Sequence, residues 1–124
     1  MLKIYTSGNS YEAISSLDTT YGYPEEKRSP YEQIDWMNDH LKEFQTKDIS
    51  IKTFSPYILN YINLLLAKGD LKFDNIEVFE YYYDEETDLI DCTSLKIEDH
   101  NLIDTQFLSD PISEIYREFN KIKK

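Results

Sequence analysis

The sequence predicts an α/β domain, a small sheet with packed helices in the order β-α-β-α-β-β-α. Three observations carry this. Two segments, Ser29-Pro30 and Ser55-Pro56, open apolar runs at helical spacing. Short runs such as Leu2 to Thr6 and Ile49 to Phe54 have strand character. A tyrosine-rich stretch, Ile76 to Tyr83, is followed by an acidic turn and a further strand-like run. A length of 124 residues fits one domain, 1–124, and a 40% hydrophobic content suffices for one core.

The elements follow in chain order. Leu2 to Thr6 reads as a strand. Residues 7 to 28 read as irregular, broken by Gly8, Gly22 and Pro24; only Tyr11 to Leu17 is compatible with a short helix. Ser29 is placed to cap a helix, Pro30 suits its first position, and Glu32 completes a capping box. Tyr31, Ile34, Met37, Leu41 and Phe44 then share one face, which predicts a helix to about Gln45. Ser55-Pro56 opens a second helix stopped by Gly69. That helix is apolar on most sides and calls for cover on more than one face. Asp84 to Asp88 should reverse the chain into a strand from Leu89 to Leu95 or a little beyond. Asp110-Pro111 is expected to open the last helix, which ends in Lys121, Lys123 and Lys124, where cations suit the helix dipole.

Charge narrows the partners. A net charge of −11 repels phosphates, so direct binding to nucleic acid or anionic lipid is not expected. The clusters Asp84-Glu85-Glu86 with Asp88, and Glu98-Asp99, read as solvated loops rather than metal sites. The single cysteine, Cys92, excludes an internal disulfide and reads as an inert buried thiol. No apolar leader follows Met1, and Tyr57 to Ala67 is too short to span a membrane, so a cytoplasmic protein is the expectation. Eleven tyrosines suit either a thin core or a half-covered surface, because tyrosine buries its ring while its hydroxyl stays wet.

The most informative stretch is Ile49 to Asn60, a strand running into Thr53-Phe54-Ser55-Pro56-Tyr57-Ile58-Leu59 and an apolar helix. It resembles the switch-histidine segment of ABC-type AAA ATPases, the group containing RecF-like and OLD-like proteins, which read Thr-His-Ser-Pro-Tyr-Ile-Leu there. The Tyr31-Glu32-Gln33 helix is similar to the family helix just after the Walker B strand. The Ile76 to Tyr83 strand, the acidic hairpin, Leu102-Ile103-Asp104 and Phe107-Leu108-Ser109 also look similar to the elements that come after the switch segment in the family. The resemblance spans residues 29–122; residues 1–28 match poorly. It implies the C-terminal half of a P-loop ATPase core.

The departures bear on activity. Phe54 stands where the family histidine meets the γ-phosphate or attacking water, and phenylalanine has no donor or acceptor for either. The glycines are Gly8, Gly22 and Gly69, with no Gly-Lys pair to build a phosphate loop. Leu2 to Thr6 ends in Thr6-Ser7 rather than in Walker B acids. Ser15-Ser16-Leu17-Asp18 reads as a helix end rather than an ABC D-loop, and Tyr81 to Glu85 as a hairpin turn. His40 and His100 lack a ligand pattern and read as surface or lightly buried imidazoles. The leading expectation is a non-catalytic protein-interaction or regulatory module with no cofactor, working with a protein partner or as a homodimer. Thr53, Phe54, Ser55 and Pro56 form its degenerate switch segment, and Tyr57, Tyr61, Leu64 and Leu65 its candidate interface. The alternatives are an acidic decoy of a nucleic-acid-binding protein and an enzyme of unrecognised type.

Overall fold

A computed structural model describes residues 1–95, 97 and 103–122. The strands are β1 (Leu2–Ser7), β2 (Tyr21–Gly22), β3 (Ile49–Lys52), β4 (Ile76–Asp84) and β5 (Leu89–Leu95). The helices are α1 (Glu12–Ser15), α2 (Pro30–Asp39), α3 (Leu41–Thr46), α4 (Pro56–Lys68) and α5 (Gln106–Ile122). The sheet order is β2-β3-β1-β4-β5, parallel except for the β4–β5 hairpin. The α/β class is as the sequence predicts.

Register explains the core. Ile49, Leu2 and Ile76 align across β3, β1 and β4, as do Ile51, Ile4 and Val78. Side chains alternate along a strand, so these six apolar residues share one side of the sheet. All six are buried. Helix α4 follows β3 and leads to β4, crossing this face with Ile58, Leu59, Ile62, Leu65 and Leu66 buried. Met37 of α2 and Phe44 of α3 complete the cluster. The opposite side carries Ser50, Lys3 and Glu77, then Lys52, Tyr5 and Phe79. Tyr5 and Phe79 stack there at 5.3 Å. An open hollow of about 560 Å³ lies beside them, lined by Lys3, Tyr5, Ser50 and Glu77 among others. Lys52 also belongs to this side, and its Nζ donates to the Ser15 and Leu17 carbonyls at the end of α1. Ser15 to Asp18 is thus a helix end.

Two caps form as the sequence predicts. Ser29 Oγ accepts from Glu32 N, and Glu32 returns a bond to Ser29 N. Ser55 Oγ accepts from Ile58 N and donates to Gln33. Ser29→Ala should cost about 1 kcal/mol and Ser55→Ala about 2, because the second change also strands the buried Gln33 amide. Urea melts will check the order; equal losses would show that Gln33 contributes nothing.

Several expectations are corrected. The helix expected to reach Gln45 breaks at His40, whose backbone leaves helical geometry (φ −102°, ψ 2°) while its ring stacks on Trp36. Tyr31 is 82% exposed, and Gln33 is buried in α2 in its stead. Residues 7–28 are organised by α1, with Ala13 and Ile14 buried, and by the two-residue strand β2. Asp110 is not a cap. α5 begins at Gln106 and carries Pro111 inside it. Leu108, one turn before Pro111, packs against the core, and that burial favours the earlier start despite the missing N–H. Cys92 is exposed rather than buried, because β5 is an edge strand with open sides. Leu65 is buried at 1%, so it serves the chain's own core and no interface. His100, Glu98-Asp99, Lys123 and Lys124 lie outside the described residues.

The sequence calls for cover on more than one face of α4, and part of that cover comes from the chain itself. Residues 7–28 pack on β1, β4 and the β3 edge. It is α2 and the segment at Ile103 that close over α4. Asn63 of α4 donates through Nδ2 to the Ile103 carbonyl at 2.8 Å and accepts from Ile103 N at 2.8 Å. Tyr57 and Leu64 remain about half exposed.

Candidate functional site

In parallel α/β sheets, ligands bind beyond the carboxyl ends of the strands. Here three loops meet at that edge: Gly8 to Tyr11 after β1, Tyr23 to Arg28 after β2, and Thr53 to Ser55 after β3. β2 is the strand that leads into α2, so it, rather than β1, occupies the place before the Tyr31-Glu32-Gln33 helix. Its short exit, Tyr23-Pro24-Glu25, delivers the carboxylate nearest the site. The sequence pattern missed this because two residues have no periodicity to read.

Glu25 binds the segment after β3 directly. Its carboxylate accepts from Thr53 Oγ1 at 2.8 and 2.9 Å and from Phe54 N at 2.7 Å. Thr53 Oγ1 in turn accepts from Ser55 N at 3.0 Å. Ser55 Oγ reaches Gln33 Oε1 at 2.5 Å, and Gln33 Nε2 donates to the Arg28 carbonyl. Thr53, Ser55 and Gln33 are all buried. The network therefore joins β2, β3, α2 and α4 through groups far apart in sequence. Pro56 sits at the first turn of α4, where its missing N–H costs nothing.

Above this network lies an aromatic stack. Phe54 stacks on Tyr23 at 5.5 Å and on Tyr11 at 5.8 Å, and the two tyrosines are 5.4 Å apart. Tyr23 adopts φ 50°, in the left-handed region, to place its ring there. Burial first, then the Tyr11 phenol and the charges of Glu25 and Glu12, push the Tyr23 phenol up to about 12. A shallow crevice of about 280 Å³ is lined by Ser7, Gly8, Asn9, Ser10, Tyr11 and Phe54.

The loop after β1 bonds mainly to itself. Ser7 Oγ accepts from Ser10 N at 3.1 Å and from Asn9 N at 3.4 Å. The Asn9 side chain pairs with both backbone groups of Tyr83 on β4. Two backbone donors that could face a ligand point inward instead. The Thr6 hydroxyl is fully buried with no hydrogen-bond partner among the described residues.

Other sequence candidates lie elsewhere. His40 sits in an aromatic group with Trp36 and Tyr21, and its Nδ1 lies 2.7 Å from the Trp36 carbonyl. Asp84 and Asp88 shape the hairpin turn: Glu86 N donates to Asp84 Oδ1, and Asp88 has φ 57°. Among the described residues, no three His, Cys, Asp or Glu side chains converge as metal ligands. No described helix is long and apolar enough to cross a membrane. No family model, curated protein or solved structure matches the chain.

Proposed function

We propose that the chain is a non-catalytic interaction module related to the core of ABC-type AAA ATPases. The observation that carries this reading is the Tyr11–Tyr23–Phe54 stack, because Phe54 holds the position that the resemblance gives to the switch histidine. Three stacked rings offer an apolar cover in place of a phosphate ligand. Two further features support it. Glu25, which follows the strand before the Tyr31-Glu32-Gln33 helix and would on the resemblance follow Walker B, is engaged by Thr53 and Phe54. The β1 loop directs Asn9 N and Ser10 N to Ser7 Oγ rather than outward, whereas a phosphate cradle needs outward N–H groups.

For partner binding, the reading points to the α4 stripe at Tyr57, Tyr61 and Leu64. These residues are spaced i, i+4, i+7 on one face. Tyr57 and Leu64 are exposed, while Tyr61 is partly buried and hydrogen-bonds Asn38. Calorimetry with ATP and magnesium should give no saturable heat, with wild type and with Phe54→His alike. Saturable micromolar binding would sink the reading. A pull-down from the native cell should lose its specific partner with Tyr57→Glu/Leu64→Glu.

A further inference from the structure

The sheet ends differently at its two sides. On one side the outermost strand, β2, has two residues, too few to offer a partner strand much. On the other side the outermost strand, β5, has seven, Leu89–Leu95. Its register with β4 runs unbroken from Asp84–Leu89 to Val78–Leu95, so no bulge turns it aside. It contains neither proline nor lysine, the usual guards of a free edge. Among the described residues, the backbone of β5 hydrogen-bonds to β4 alone. Residues 89–94 are exposed, Leu89 at 61% and Ile90 at 51%. Alternate N–H and C=O groups of this strand therefore point into solvent. A row of alternating donors and acceptors is matched by another extended backbone.

We infer that β5 pairs edge to edge with β5 of a second copy of this chain, antiparallel and about a two-fold axis at Cys92, joining the two sheets into one. The sequence of the strand selects this occupant. Cys92 is its middle residue, so the register centred there pairs all seven residues of one copy with all seven of the other. Leu89 then lies opposite Leu95 of the second copy, Ile90 opposite its Ser94 and Asp91 opposite its Thr93. Two-fold symmetry makes each match twice, so leucines cover each other at both ends. Asp91, the one charged residue of the strand, meets a hydroxyl; centring on Asp91 instead would set two carboxylates face to face. The acidic hairpin turns decide the direction. In the antiparallel pair the two Asp88 residues lie about 27 Å apart, well beyond the screening length of about 8 Å in physiological salt. A parallel pair would set the turns side by side, and a net charge of −11 opposes that. The pairing uses no residue of the α4 stripe and does not depend on the ATP result.

Cys92 gives the pairing a direct readout. Facing Cα atoms of an antiparallel pair lie about 4.5–5.5 Å apart, inside the disulfide range of about 4.4–6.8 Å. Cys92 is the single cysteine, so two copies can be joined only there. Diamide, an azo oxidant, takes up the two electrons and two protons that a pair of thiols gives up. With it the wild-type chain should cross-link at least about tenfold faster than Cys92→Ser/Ser94→Cys, whose two cysteines would lie about 14 Å apart. Sedimentation equilibrium under reducing conditions should show the wild-type chain approaching twice the chain mass. Thr93→Asp sets a carboxylate opposite Asp91 of the second copy and should weaken the dimer about three- to tenfold, and adding Asp91→Lys should restore it. The cysteine comparison keeps the test sharp if Thr93→Asp disturbs the hairpin, where Thr93 faces Glu80. A wild-type monomer at every concentration, or equal cross-linking at the two cysteine positions, would overturn the inference. A Thr93→Asp loss that Asp91→Lys does not reverse would overturn the register centred on Cys92.

Discussion

Glu25→Ala should destabilise the domain by about 2–4 kcal/mol, a large effect for a loop residue. The carboxylate holds three short contacts, two with Thr53 Oγ1 and one with Phe54 N. Hydrogen bonds to a charged acceptor contribute about 1.5–3 kcal/mol, more than neutral ones. Without Glu25, the Phe54 amide and the buried Thr53 hydroxyl lose their acceptor in a place that water reaches poorly. Thr53 also orients Ser55, the cap of α4, so the damage should spread to the helix entry. Glu25→Gln keeps one acceptor oxygen but turns an amide toward existing donors, and should fall between the two. Urea denaturation gives the stability order, and near-ultraviolet dichroism reports the Tyr11–Tyr23–Phe54 stack. Stabilities within about 0.5 kcal/mol of wild type for both variants would show that Glu25 does not hold the segment.

Asn63→Leu should cost a similar amount, about 2–4 kcal/mol, but its damage should be confined to one region. Asn63 is buried in an otherwise apolar helix face, which has a cost unless its amide is satisfied. Ile103 satisfies both ends of it. A leucine keeps the branched shape of Asn63 but leaves the Ile103 N–H and carbonyl without partners. The segment from Ile103 to Thr105 should then lift from α4, taking the start of α5 with it. Hydrogen exchange should accelerate at Ile103 far more than at Ile4 or Val78 in the central strands. Uniform acceleration across the sheet would mean that the segment is part of the global folding unit rather than a strap over it.

The two variants probe contacts that differ in how far the sequence disclosed them. Ser55 and Pro56 announce a helix start through local chemistry, and the structure puts the cap there. Asn63 looks in sequence like an interruption of a greasy helix, because its partner lies forty residues away. Glu25 looks like one acid among many, because its partners lie twenty-eight and twenty-nine residues away. Of the four residues proposed as an interface, Tyr57, Tyr61 and Leu64 share a face by helical spacing, but spacing alone does not say which side of an apolar helix meets the sheet, and Leu65 falls on the buried side.

By itself, the sequence determined what depends on neighbours along the chain. It determined the α/β class, the Ser29 and Ser55 caps, the β4–β5 hairpin, the absence of a Gly-Lys pair and a phenylalanine at position 54. Each rests on residues within one or two turns of each other, where backbone geometry fixes who meets whom. The tertiary structure decided the central place of β1, the two-residue strand β2, the break at His40 and the closure of Glu25 on Thr53 and Asn63 on Ile103. It also decided that α5 starts ahead of Pro111, because burying Leu108 outweighs a local penalty. Such pairings are chosen by which surfaces can be buried together and which polar groups must be satisfied there, and no local pattern records that choice.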